Sequence, residues 1–174
     1  MGTVPRTVTR IITNKVVAAV MLLAAGLAQA GDRTQHPLPN DSTFPIARAV
    51  EVSAGATLVW HSGMVPRPAN PDAERNSPEY WGDTEAQALS VFARMEESLN
   101  DLGLGFGDIV KMTVFLVEPP GEDGMDFQGF MRAYTRYFGA EAEQMNLPAR
   151  SAVEVAGLVA PGMLVEVEAV FVRP

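Results

Sequence analysis

The sequence predicts an α+β domain: a single mixed β-sheet with two helices packed on one face. Three observations carry this reading. Strand-like runs occur near both ends and in the middle of the chain. Two stretches between them repeat their apolar residues at helical spacing. The resulting order is strand, strand, helix, strand, helix, strand, strand.

The first thirty residues read as an export signal. Met1 to Lys15 carries Arg6, Arg10 and Lys15 and no acid, and Val16 to Ala28 is a 13-residue apolar run, short for a bilayer span. Ala28-Gln29-Ala30 then supplies the small-x-small pattern of a cleavage site. The expectation is a signal peptide over 1–30, cleaved near Ala30, and a periplasmic or secreted protein with no membrane association after cleavage. An uncleaved anchor or a misplaced start codon is the alternative.

Removing 30 of 174 residues leaves 144, the size of one compact domain over 31–174. The leader takes three basic residues with it, so 10 basic residues face 21 acidic ones, a net −11. That charge argues against a nucleic-acid partner. Cysteine is absent, which removes disulfides, a thiol nucleophile and a thiolate metal site. His36 and His61 are the only histidines, little material for a zinc site or a histidine-dependent triad. No metal and no cofactor is expected.

Gly31 to Thr43 is polar and proline-bearing and reads as an extended or mobile arm. Ile46–Val52 and Thr57–Ser62 are strand-like, with a hairpin-like connection at Ser53–Ala56. Arg67 to Asp83 has no clear period and reads as a surface loop, which Tyr80 and Trp81 pin to its own domain or close as a lid. Asp83–Leu102 is the clearest helix. Thr84 with Gln87 fits a capping box, Leu89, Phe92, Met95, Leu99 and Leu102 form its apolar stripe, and Gly103 suits a C-terminal cap. Ile109–Val117 is nearly all apolar, as for a strand covered on both faces. A second helix is expected over Met125–Phe138, burying Phe127, Phe130, Met131, Tyr134 and Phe138.

Pro148 to Arg173 reads as two strands joined by a Pro-Gly turn. Met163, Val165, Val167, Ala169 and Phe171 form a core face, and Glu166 and Glu168 share the other. If the two strands pair as an antiparallel hairpin, Arg150 and Glu154 stand on the same side as those acids. One cation among three acids is then either a polar site or an interface ion pair. With both helices on one face, nothing in the chain remains to cover the other, and self-association is the simplest cover.

Leu58-Val59-Trp60-His61-Ser62-Gly63-Met64-Val65-Pro66, Asp108 to Leu116, and the Pro-Ala-Arg-Ser, Val-Glu-Val-Ala and Val-Glu-Val-Glu-Ala segments of the C-terminal stretch resemble the Rid (reactive intermediate deaminase) family, whose older members were labelled L-PSP ribonucleases. The resemblance covers nearly all of the mature chain. It implies a chorismate-mutase-like α+β subunit and a homotrimer with clefts between subunits. The activity it implies is hydrolysis of 2-imino acids to 2-oxo acids and ammonia.

On that resemblance Arg150 matches the substrate-binding arginine and Glu166 the catalytic-side glutamate. The chemistry agrees. A planar guanidinium grips the carboxylate of a small-molecule substrate in bidentate fashion. A carboxylate bonded to water can deliver that water to carbon and a proton to nitrogen. The backbone of Ala152, where the family often has cysteine, would add polar contacts. Ile46 stands where many members carry a tyrosine, and Met131 where some carry an asparagine, so the implied pocket is more apolar than usual. Lys111 reads as an outward-facing strand residue rather than a Schiff-base lysine, His61 as a satisfied strand-end histidine, and Glu154 and Glu168 as structural acids. The competing function is a non-catalytic trimeric binding protein for a small anionic metabolite. A ribonuclease role fits the charge poorly.

Overall fold

The computed structural model describes residues 33–174; the expected leader over 1–30 lies outside the described residues. Six strands and three α-helices follow in order: β1 (Arg33–His36), β2 (Ala49–Val52), β3 (Leu58–Met64), α1 (Pro78–Trp81), α2 (Thr84–Leu102), β4 (Ile109–Leu116), α3 (Phe127–Tyr134), β5 (Ala149–Glu154) and β6 (Val165–Val172). The main sheet runs β3-β6-β4-β5, antiparallel except for the parallel β4–β5 pair. The α+β class read from the sequence is the class observed.

One face of this sheet meets α2 and α3. Met112, Val114 and Leu116 of β4 and Val165, Val167 and Phe171 of β6 are completely buried there, against Phe92, Met95 and Leu99 of α2 and Phe130 and Tyr134 of α3. Period-two alternation sends Lys111, Thr113, Phe115, Glu166, Glu168 and Val170 to the other face, where no helix of the described residues lies. Trp60 stands on that face 77% exposed. The coverage of β4 on both faces that its apolar run suggests is therefore not met by the described residues.

Several local expectations change. The arm before Thr43 contains β1, which pairs with β2 as a separate antiparallel ribbon, so Ile46–Val52 forms no hairpin with β3. The ribbon is tied to the main sheet by Ala47 N–H to Pro148 O at 2.9 Å and by Gln35 Nε2–H to Leu147 O at 2.9 Å. The cap of α2 is Asp83, whose Oδ1 accepts from Ala86 N–H at 2.8 Å, while Thr84 is already in the first turn. Gln87 makes no capping box. It is buried, donates to Gly82 O and Gly162 O at 3.0 Å each, and accepts from Leu164 N–H at 2.7 Å, locking the entrance of β6 to the start of α2. Gly103 closes α2 at φ 67°, a left-handed conformation that favours glycine.

The stretch before α2 is pinned, as one of its two readings had it. Trp81 is buried and donates from Nε1 to Pro161 O at 2.9 Å, with the Tyr80 ring edge-on at 4.8 Å. Helix α3 is shorter than its apolar stripe, and looser turns carry the chain to Phe138, whose ring stacks on Tyr134 at 4.5 Å. Among the described residues no helix is long and apolar enough to cross a membrane.

Candidate active site

The last two strands decide the site, and they are not a hairpin. β5 lies parallel to β4 at the sheet edge, and β4 separates it from β6. Met112 stands between Arg150 on β5 and Ala169 on β6, so Arg150 shares the buried, helix-covered face. Phe115 stands between Val153 and Glu166 on the other face. Arg150, Ala152 and Glu154 therefore do not join Glu166 and Glu168 on one side, as the hairpin reading required. Ala152 packs against the core, and Glu154 is structural: its Oε2 accepts from Met125 N–H at 2.7 Å, just ahead of α3.

Arg150 sits in an aromatic cage. Its guanidinium carbon is 4.2 Å from the ring centre of Tyr134, 5.3 Å from that of Phe130, 5.5 Å from Phe44 and 5.7 Å from Phe127. Nη2 donates to the Met131 sulfur at 3.3 Å, and Nη1 is buried without a hydrogen-bond partner. Among the described residues it has no ion-pair partner. Cation–π contacts contribute roughly 1 kcal/mol apiece, whereas desolvating a cation costs several kcal/mol on that order of magnitude. Burial prevails, lowering the guanidinium pKa below its ordinary value, with the neighbouring Tyr134 a partial offset. Tyr134 in turn donates its hydroxyl to Pro45 O at 2.8 Å, and burial raises its pKa. A caged cation with an unsatisfied buried donor has the chemistry to accept an anion.

Glu166 occupies a different setting. Between His61 and Met64 the β3–β6 register slips by a bulge, which brings the α-carbon of Gly63 beneath the Glu166 carboxylate. The approach is so close that a methyl group at position 63 would collide with Oε1. A side chain at this position would push the end of the flexible Glu166 side chain aside. Glu166 also lacks an ion-pair partner among the described residues. On the same face a groove of about 280 Å³ is bounded by Trp60, Lys111, Thr113 and Glu168. Lys111 donates to Ser151 Oγ at 2.9 Å, consistent with an outward-facing strand lysine. His61 contacts Ser62 O at 2.8 Å and Ser98 Oγ at 3.0 Å, so both ring nitrogens are satisfied.

Two parts of this arrangement escaped the sequence reading. The aromatic residues of α3 appeared only as core, although an arginine on a strand packed against such a stripe is the signal for a cage. The Gly63–Glu166 approach depends on a bulge that no local pattern announces. Ile46 lies where the sequence puts it, beside Phe44, in the wall of a cavity of about 400 Å³.

The family model described as endoribonuclease L-PSP matches residues 39–172. A RutC family protein of Haemophilus influenzae is 36% identical over 129 residues, 74% of this chain and 87% of that protein. A RutC family protein of Synechocystis is 38% identical over 93 residues, 53% of this chain and 64% of its own length. TdcF of Escherichia coli, which bears a reactive-intermediate-deaminase name, is 30% identical over 129 residues, 74% of this chain and 87% of its own. The crystal structure of E. coli TdcF with bound serine overlays with a TM-score of 0.51 at 29% identity, covering 75% of this chain and 93% of that one. The Rid protein YyfB of Yersinia pestis shares the fold, with a TM-score of 0.62 at 22% identity over 82% of this chain and all (100%) of that one. On the family model and these relatives, the chain belongs to the Rid family, the family of endoribonuclease L-PSP.

Proposed function

We propose that this chain hydrolyses 2-imino acids to 2-oxo acids and ammonia in clefts between the subunits of a homotrimer. Arg150 of one subunit holds the substrate carboxylate, with polar contacts from the backbone of Ala152, and Glu166 of a neighbouring subunit positions the water. The observation that carries the reading is the buried, partnerless Nη1 of Arg150. The deaminase name of TdcF and the serine bound in its crystal structure, a small carboxylate-bearing molecule, are consistent with it.

The reaction needs one water and no redox partner. Glu166 accepts a proton as water adds to the imine carbon, and passes it to the nitrogen; the carbinolamine then collapses to the ketone and expels ammonia. The trimer supplies the cover that the helix-free face lacks, and it brings together two groups that one copy keeps on opposite faces. The reading of residues 1–30 as a cleaved leader supports an activity outside the cytoplasm, and mass spectrometry of the mature N-terminus tests cleavage near Ala30.

The test couples an amino-acid oxidase to the purified protein with semicarbazide as an imine trap. The protein is expected to divert imine from the trap. Failure with every imine tried removes the deaminase reading and leaves the alternative, a trimer that binds a small anionic metabolite without turnover. A monomeric mass in solution removes the interface cleft.

A further inference from the structure

Phe44 belongs to two features at once. Its ring forms part of the cage around Arg150, and it lines the cavity of about 400 Å³ beside the β1–β2 ribbon. That volume falls within the usual range for small-molecule pockets. Its wall is built from Phe44, Ile46, Leu38, Met145 and Leu147, with Gln35 among the few polar residues, and no charged side chain lines it. Gln35 is already engaged, since its Nε2 donates to Leu147 O. Met145 is 62% exposed, so the cavity has an apolar residue open to solvent.

We propose that this cavity is the side-chain subsite, and that it selects 2-imino acids with branched aliphatic or aromatic side chains over small or charged ones. The inference rests on the proposed function only in taking Arg150 as the carboxylate anchor. A molecule held there lies against Phe44, and its side chain has an apolar wall to follow past Ile46. A charge on that side chain finds no charged partner in the cavity and loses its water on entering. Ile46 and Phe44 act on specificity, while Arg150 acts on the carboxylate common to all substrates.

The experiment uses 2-oxo acids as stable probes and titrates 4-methyl-2-oxopentanoate, pyruvate and 2-oxoglutarate calorimetrically into the full-length mature protein. The branched acid is expected to bind on the order of tenfold tighter than pyruvate or more, the usual discrimination of an apolar pocket per added methylene group being that large. 2-Oxoglutarate should bind no better than pyruvate. Met145→Glu, at an exposed position where folding is safe, should abolish most of the preference, and Met145→Leu should keep it. Equal affinity for the three acids, tighter pyruvate binding, or no binding at all overturns the subsite. Imine hydrolysis without side-chain discrimination also overturns it while leaving the deaminase reading intact. Selective binding of the branched acid without any hydrolysis keeps the subsite and removes the reaction.

Discussion

Arg150 and Glu166 leave one four-stranded sheet from opposite faces, with β4 between their strands. No rotamer of either side chain crosses a packed sheet. A guanidinium and a carboxylate placed so can meet the same small molecule only if a second copy supplies one of them. If both groups serve one substrate, as proposed, the requirement for a second copy follows from strand order alone.

Subunit mixing tests this directly. Glu166→Gln alone should lower kcat by on the order of 10²- to 10⁴-fold, the usual worth of a positioned acid–base group, and Arg150→Ala should raise KM steeply. Co-expressed in equal amounts, the two variants should regain about a quarter of the wild-type sites, because each mixed trimer reconstitutes one intact cleft. Recovery would be read as imine diverted from semicarbazide. No recovery, with an active wild-type control, would place both residues in the same copy's site or outside it.

Gly63→Ala should disable the reaction without unfolding the protein. The added methyl displaces the end of a flexible Glu166 side chain, not backbone. A carboxylate misplaced by about 1 Å can cost on the order of 10²-fold in rate. The thermal midpoint should move little and KM should stay near wild type, since Arg150 is untouched. An unchanged kcat would show that the carboxylate's present position is not the working one.

Gln87→Leu should be costly although residue 87 lies far from any proposed chemistry. The substitution strands the carbonyls of Gly82 and Gly162 and the amide of Leu164 in a buried place. Part of that loss is recovered by apolar packing, leaving a destabilisation of about 3 kcal/mol and a fall in Tm on the order of 10 °C. Differential scanning calorimetry reads both.

Tyr134 makes stability fall on the alkaline side. Burial raises its folded-state pKa above the ordinary value of 10.0. Its neutral form therefore stabilises the fold in full below about pH 10, and that contribution is lost as the pH climbs above it. Arg150 has the opposite sign, because burial holds its folded pKa below the ordinary guanidinium value. Tyr137 is also raised by burial and remains in both proteins, so the comparison isolates residue 134. Urea unfolding of wild type and Tyr134→Phe between about pH 9 and 11 should show a steeper decline for wild type, with the variant weaker near neutrality by about 1 kcal/mol for the lost bond to Pro45.

Much of the fold was legible because its signals are local. The alternation over Val165–Val172 and the stripe of Phe92, Met95 and Leu99 place the core without knowledge of any partner strand. The C-terminal pair was misread because alternation says which residues of a strand share a face but not which strand lies beside it. A Pro-Gly turn invites a hairpin; instead the stretch between Val155 and Leu164 carries the chain past β4, whose parallel bond from Val155 N–H to Leu116 O extends the β5 edge. Arg150 and Glu166 were both identified as candidates, but their relation to each other was not, since it follows from that long-range choice. Thr84 failed as a cap because Asp83, one residue earlier, has the shorter and stronger acceptor for the first turn.

Among the described residues the polar contacts that join the β1–β2 ribbon and its connection to the rest of the domain include Ala47 to Pro148, Gln35 to Leu147, Tyr134 to Pro45, and a 3.8 Å pair between Arg33 and Asp108. A two-stranded ribbon outside the main sheet is the kind of unit that opens first in amide exchange. Phe44 lies in the same stretch of chain, between the two strands, so each opening removes one wall from the guanidinium and admits water to it. The proposed carboxylate affinity of Arg150 would then be coupled to a local unfolding equilibrium. A ligand that closes the cage should slow deuterium uptake in 33–52 even though most of those residues never touch it.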